Sequence, residues 1–90
     1  MTGIIGLPLN SDEAFLLFIC LEDRFEWYMG RFFKAKDDID EDIERRFMQT
    51  TLSMLKKLAT LNPDWKESVD SYEIDFFNAT EAGEKPTWIQ

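Results

Sequence analysis

The stretch Phe15-Leu16-Leu17-Phe18-Ile19-Cys20-Leu21 decides the fold that this sequence predicts. In an α-helix successive residues advance by about 100°, so an uninterrupted apolar run of this length covers every side of the cylinder. Such a helix must be enclosed, either by the rest of the chain or by a second molecule. Because the chain has only 90 residues, the run points to self-association as well as to a buried core. Within the run we expect Cys20 to be a small buried hydrophobe.

The residues around this run predict a first helix from about residue 11 to residue 34. Asn10 can cap its N-terminus, and Glu13 lies at the capping-box spacing from Asn10. The second half of this helix carries an apolar face at helical spacing, which consists of Phe25, Tyr28, Met29 and Phe32.

A second helix is predicted over residues 38–61. Asp38 and Glu41 repeat the capping-box spacing at its start. Apolar and small residues then follow at steps of three and four, which predicts a buried seam formed by Ile39, Ile43, Phe47, Thr50, Met54, Leu58 and Leu61. Met48, Leu52 and Leu55 widen this apolar face beyond what one neighbouring helix would cover.

A third helix is predicted over residues 63–77, with Asn62 as its cap and Pro63 as its first residue. Its apolar stripe is formed by Trp65, Val69, Tyr72 and Phe76. We expect residues 78–90 to form an irregular tail from which Trp88 packs back onto the helices.

Together these segments predict an all-α fold: one domain over residues 1–90, built as a three-helix bundle with irregular N- and C-terminal tails. The rival interpretation is an α+β fold with a hairpin at 15–29, but the intervening loop lacks the Gly or Asn that tight hairpins prefer. The excess of apolar surface predicts completion by homodimerisation. The residues expected at the dimer interface are Phe15, Phe18, Leu21, Met48, Leu52 and Leu55.

The composition argues against most catalytic and metal chemistry. The chain has no histidine and one cysteine, so neither a histidine-assisted nucleophile nor a zinc site can be built from it. The acidic run from Asp37 to Glu44 begins like a calcium loop, but Ile43 and Gln49 stand where Gly and Glu are needed. We therefore predict no catalytic residues, no metal ligands, no cofactor and no enzymatic activity; a minimal carboxylate enzyme or metal binder ranks third among the hypotheses.

The net charge of −8 predicts repulsion of nucleic acids rather than direct binding. The basic and aromatic stretch from Arg31 to Lys36 is followed at once by acidic residues that neutralise it. Acidity is concentrated in the C-terminal part, where we predict a partner-binding surface formed by Asp64, Glu67, Asp70, Glu73 and Asp75. The alternative is that these residues only keep the outer face of the third helix soluble.

Trp27 does not fit a simple core either. On a helix it points away from the apolar face and towards Arg24 and Arg31, which is typical of an interface anchor. We predict that these three residues also bind a partner; the alternative is that the N-terminal segment or Trp88 covers the indole ring.

The leading functional hypothesis is a small acidic protein–protein interaction module that occludes a partner protein with a basic surface. In general profile it is similar to phage-encoded inhibitors of host defence or nucleic-acid-binding proteins, a likeness of class that no motif carries. The alternative is a structural or accessory subunit without its own activity. The single cysteine and the missing signal and membrane-spanning patterns lead us to expect a cytoplasmic protein that binds no membrane.

Overall fold

The structure is a computed structural model that describes residues 9–89, and this part of the chain is built from helices without strands. Helix α1 spans Ser11–Lys34, α2 spans Asp38–Leu61 and α3 spans Lys66–Ala82, with a short 3₁₀ turn at Pro63–Trp65 before α3. The all-α, three-helix prediction is confirmed. The stretch 15–29 lies within α1, where the rival interpretation placed a hairpin. The tail predicted at the N-terminus falls mostly on residues 1–8, outside the described residues.

Local capping interactions begin α1 and the turn before α3 where the sequence predicts. The Asn10 side chain accepts a hydrogen bond from the Glu13 backbone N–H at 2.8 Å, and the Glu13 carboxylate accepts one from the Asn10 N–H at 2.9 Å. This capping box satisfies two backbone donors that the helix itself leaves unpaired. Asn62 likewise accepts from the Asp64 N–H at 3.1 Å, with Pro63 as the first residue of the turn.

Helix α2 begins at Asp38 as predicted, but its capping residue is Asp37 rather than Asp38. Asp37 is the cap, and its carboxylate accepts from the Asp40 N–H at 2.8 Å. The predicted Asp38–Glu41 capping box is wrong because Asp38 already has helical geometry, whereas Asp37 is extended (φ −144°, ψ 170°), as a capping residue must be.

Helix α3 is longer than predicted and ends at Ala82 rather than at residue 77. Residues 78–82 contain no helix breaker, and the Thr80 hydroxyl donates to the Phe76 carbonyl at 2.8 Å within the helix. The helix stops at Gly83, whose φ of 69° lies in the left-handed region that glycine adopts at no steric cost. The irregular tail therefore begins at Gly83 and not at residue 78.

The core lies where α1 and α2 pack side by side and α3 covers one flank. Its fully buried side chains include Phe25, Met29, Met48, Leu55 and Leu58. The three-residue connection at 35–37 forces α1 and α2 to run antiparallel, and contacts such as the Tyr28–Phe47 ring stack, with centroids 5.2 Å apart, follow from that pairing. Burial of these side chains is the main source of stability.

The buried face of α2 is not the predicted seam. Its buried residues are Glu44, Met48, Thr51, Leu52, Leu55 and Leu58. Of the predicted seam only Leu58 is fully buried; Ile39, for example, is 73% exposed. The reason is geometric. Met48, Leu52 and Leu55, which were predicted only to widen the apolar face, are the side chains that point at α1 and α3. The seam beginning at Ile39 lies at the edge of this packing: Phe47 still stacks on Tyr28 of α1, whereas Ile39 and Leu61 are left exposed.

The apolar run in α1 is only half enclosed. Phe18 and Leu21 are buried, whereas Leu16 is 64% exposed and the side chains of Ile19 and Cys20 are exposed as well. The expectation that Cys20 is buried is therefore wrong. Two neighbouring helices cover one side of α1, and its opposite side has no cover among the described residues.

The same packing corrects the residues expected at a dimer interface. Five of them lie in the core of the single chain: Phe18, Leu21, Met48, Leu52 and Leu55. These five side chains pack together in the core and are not available on the surface of the single chain. Phe15 is exposed, next to Trp65 with ring centroids 6.5 Å apart.

Candidate functional site: an acidic groove between α1 and α3

An open groove of about 510 Å³ lies between the middle of α1 and the outer face of α3. Its lining combines carboxylates, two hydroxyls and two aromatic rings: Glu22, Glu26, Asp64, Glu67, Ser68, Ser71, Tyr72, Asp75 and Trp88. Five of these side chains are acidic and none is Lys or Arg. We call this feature the acidic groove.

The helices place these carboxylates without any unusual backbone geometry. Glu22 and Glu26 are one turn apart on the same face of α1, next to the buried Phe25, whose ring contacts Tyr72 of α3 with centroids 4.9 Å apart. Across the groove the capped turn at Pro63–Trp65 presents Asp64, and α3 carries the remaining carboxylates.

The two aromatic side chains of the groove are held by hydrogen bonds to its carboxylates. The Tyr72 hydroxyl donates to Glu26 Oε2 at 2.5 Å, and the Trp88 indole Nε1–H donates to Asp75 Oδ2 at 2.9 Å. The two rings stand almost perpendicular, with an interplanar angle of 86° and centroids 6.3 Å apart. The tail after Gly83 thus folds back onto α3, as expected for Trp88, and closes one end of the groove.

The electrostatics of the groove show negative charge without a compensating cation in its lining. Partial burial, and secondarily the nearby Glu26 carboxylate, raise the pKa of Glu22. Burial, followed by the hydrogen bond to Glu26, also raises the pKa of Tyr72. In both cases burial is the larger cause, and the neighbouring carboxylates add to it by disfavouring a further negative charge.

The structure divides the acidic residues predicted on the third helix into two groups. Asp64, Glu67 and Asp75 line the acidic groove. The other two pair with lysines elsewhere: Asp70 with Lys66 at 2.7 Å, and Glu73 with Lys56 of α2. The second group therefore has its charge partly compensated within the chain.

Sequence analysis missed Glu22, Glu26 and Tyr72 as members of this site. The available signal was the i, i+4 spacing of the two glutamates beside a core phenylalanine. That spacing does not reveal which helix lies opposite, so the sequence alone could not bring α1 and α3 acidity together. Among residues 9–89 no three carboxylate or thiol side chains converge as metal ligands.

The second predicted surface surrounds Trp27, which is 48% exposed on α1. The guanidinium carbons of Arg24 and Arg31 each lie 4.8 Å from the centre of its indole ring, within cation–π distance. Trp88 lies in the acidic groove and does not cover Trp27. These three side chains thus come together on α1, as the helical spacing predicts.

Arg31 ties this surface to α2. Its Nε donates to Glu44 Oε2 at 2.9 Å, and Glu44 is buried, with its other carboxylate oxygen lacking a partner among the described residues. The cost of burying a carboxylate is offset here by one charge-assisted hydrogen bond. Arg31 is consequently held in place over the Trp27 ring rather than free in solvent.

No protein-family model matches the chain, and comparison with curated proteins and with solved structures likewise found no match. None of the helices between residues 9 and 89 is both long and apolar enough to span a bilayer.

Proposed function

We propose that this protein is an acidic protein–protein interaction module that binds and occludes a basic surface on a partner protein. The observation that carries this proposal is the acidic groove, whose lining contains five carboxylates and no lysine or arginine. Charge complementarity of this kind steers association and rejects partners of the wrong charge.

The groove is shaped to receive basic side chains in particular. Lysine and arginine present a cationic head on an apolar stem, and the groove offers carboxylates for the head beside the Tyr72 and Trp88 rings for the stem. A partner that normally binds nucleic acid has such side chains exposed, so occlusion of a nucleic-acid-binding or host defence protein, as phage-type inhibitors achieve, is the most specific form of the proposal. The proposal includes a cytoplasmic location, because such partners act there.

We further propose that the chain works as a homodimer, because large apolar side chains remain exposed on all three helices. They include Leu16, Ile39, Phe47, Ile74 and Phe77. Association with another chain would remove such side chains from water. The same exposure favours the second candidate, an accessory subunit of a larger assembly, in which other chains would cover these residues.

The proposal is tested by reversing charges inside and outside the groove. We expect Asp64→Lys with Glu67→Lys to weaken binding of a short lysine-rich peptide by about tenfold at low salt, since each lost attraction of this kind contributes up to about 1 kcal/mol. Both side chains are exposed and pair with no cation of the described chain, so the fold should persist. Fluorescence anisotropy of the labelled peptide provides the measurement.

The matched control is Glu81→Lys with Glu84→Lys, which changes the net charge equally but lies outside the groove. We expect this control to alter affinity by less than about twofold. Equal weakening by the two double variants would show that the peptide responds to net charge alone, and the groove would lose its assigned role.

A further inference from the structure

We infer that the outer face of α1 is the surface through which two copies of this chain pair, with their α1 helices antiparallel. The outer face consists of side chains on α1 directed away from the core: Asp12, Leu16, Ile19, Cys20, Asp23, Arg24, Trp27, Arg31 and Lys34, all of them exposed. This inference rests on the homodimer proposed above and adds its surface and its orientation.

The middle of the outer face has the spacing and composition of a helix–helix contact. Leu16, Cys20, Asp23 and Trp27 follow one another at steps of four, three and four, which places them in one row along the helix. Leu16 and Trp27 expose 64% and 48% of their surface, and Ile19 flanks the row. Trp and Arg, which Trp27 combines with Arg24 and Arg31, are the residue types in which interface hot spots are enriched.

The charges of the outer face are ordered along the helix. Asp12 lies in its first turn, and Arg31 and Lys34 lie in its last turn. Any helix favours this order because it complements the helix dipole, but in α1 the exposed apolar row lies between the two charged ends. Antiparallel pairing brings the acidic end of each copy against the basic end of the other, whereas parallel pairing places like charges together.

One register satisfies the apolar and the charged residues at once. A two-fold axis between residues 21 and 22 sets Trp27 opposite Leu16 of the second copy and Arg31 opposite Asp12 of the second copy, because both pairs are equidistant from that point. Each contact then occurs twice. Such an isologous pairing closes on itself as a dimer and leaves no free end for further copies.

The acidic groove stays accessible in this dimer, since only two of its nine lining residues, Glu22 and Glu26, belong to α1, and they lie beside the outer face rather than on it. Two grooves would therefore be available per dimer. Two linked binding sites raise the apparent affinity for a partner that presents two basic patches.

Sedimentation equilibrium of the full chain tests the surface. We expect wild type to approach twice its 10.6 kDa with rising concentration, and Trp27→Ala or Leu16→Glu to raise the dimer dissociation constant at least tenfold. Leu61→Glu is the matched control for Leu16→Glu, because Leu61 is an exposed leucine at the end of α2, away from the outer face, and it should leave the dissociation constant unchanged.

Distances between spin labels test the orientation. In a Cys20→Ser background, a label at Ser11→Cys lies at the start of α1, so antiparallel pairing predicts roughly 30 Å between the two labels and parallel pairing roughly 10 Å. Circular dichroism of each variant verifies that the helices persist.

The outcomes separate the inference from the proposal beneath it. A wild-type mass of 10.6 kDa at every concentration would overturn the homodimer and its surface together. A wild-type dimer that neither Trp27→Ala nor Leu16→Glu weakens would overturn the surface alone, and a short label distance would overturn the antiparallel arrangement. Peptide binding to the groove is measured independently of all three.

Discussion

Met48 and Ile39 lie on opposite sides of α2 and show how a residue's direction decides its energetic role. Met48 is fully buried between α1 and α3, whereas Ile39 is 73% exposed. We expect Met48→Ala to lower the free energy of unfolding by about 2–5 kcal/mol, because it leaves a cavity in the core. Ile39→Ala should change it by less than about 0.5 kcal/mol.

Urea denaturation followed by circular dichroism measures both values. If the two substitutions lowered the free energy of unfolding by similar amounts, this interpretation would be wrong, because the seam beginning at Ile39 would then also be covered.

Glu22 provides a prediction about pH, because partial burial and then the Glu26 carboxylate raise its pKa in the folded state. Because the folded-state pKa is raised, folding favours the protonated Glu22 side chain. The stability that Glu22 contributes is therefore fully present below its unfolded-state pKa of about 4.3 and is lost as the pH rises through its folded-state pKa. At neutral pH the ionised Glu22 therefore opposes folding.

We expect Glu22→Gln to stabilise the protein at pH 7 and to have little effect near pH 3, where wild-type Glu22 is protonated in both states. Thermal denaturation of the two proteins across this range measures the difference. A stabilisation of the same size at both pH values would contradict the assigned cause, because it would not depend on ionisation.

At the scale of the element, two glycines have opposite effects on the helices that contain or follow them. Gly83 ends α3 with a φ of 69°, so Gly83→Ala should destabilise the protein by about 1–2 kcal/mol. Gly30 lies within α1 with nothing within 4 Å of where a Cβ would stand, so Gly30→Ala should stabilise it by about 1 kcal/mol. Urea unfolding checks both signs, and a stabilising Gly83→Ala would show that α3 does not end there.

The sequence predicts the helix starts well because the signals for them are local. Asn10 with Glu13, and Asn62 with Pro63, act within one turn of backbone and need no tertiary information. The end of α3 was misplaced because residues 78–82 are neutral in propensity, and only Gly83 carries a stop signal.

The faces of the helices are harder to predict, because periodicity shows which residues share a side but not which side meets a neighbour. Ile39 and Met48 both belong to apolar stripes on α2, and the position of α1 and α3 decides between them. The acidic groove depends on the same information, since Glu22 and Asp75 are far apart in sequence and meet only after α3 packs against α1.

At the scale of the whole molecule, the helical bundle carries its charge unevenly over its surface. Among the carboxylates behind the net charge of −8, some pair with lysines or arginines, as Asp70 and Glu73 do, whereas those of the acidic groove have no such partner among residues 9–89. The Trp27 surface on α1 is the contrasting basic and aromatic region. The molecule therefore presents two chemically distinct surfaces, for which we propose a basic partner and a second copy, respectively.

The most direct test of the central claim is a nuclear magnetic resonance titration of the labelled protein with the lysine-rich peptide. The three tryptophan indole N–H signals report on separate places, because Trp88 lies in the acidic groove, Trp27 on the outer face of α1 and Trp65 beside Phe18. The account predicts that the Trp88 indole signal and the backbone signals of Glu22, Glu67 and their neighbours in the groove shift together and saturate. Shifts centred instead on the acidic start of α2, or spread evenly over all carboxylates while Trp88 stays unchanged, would contradict it.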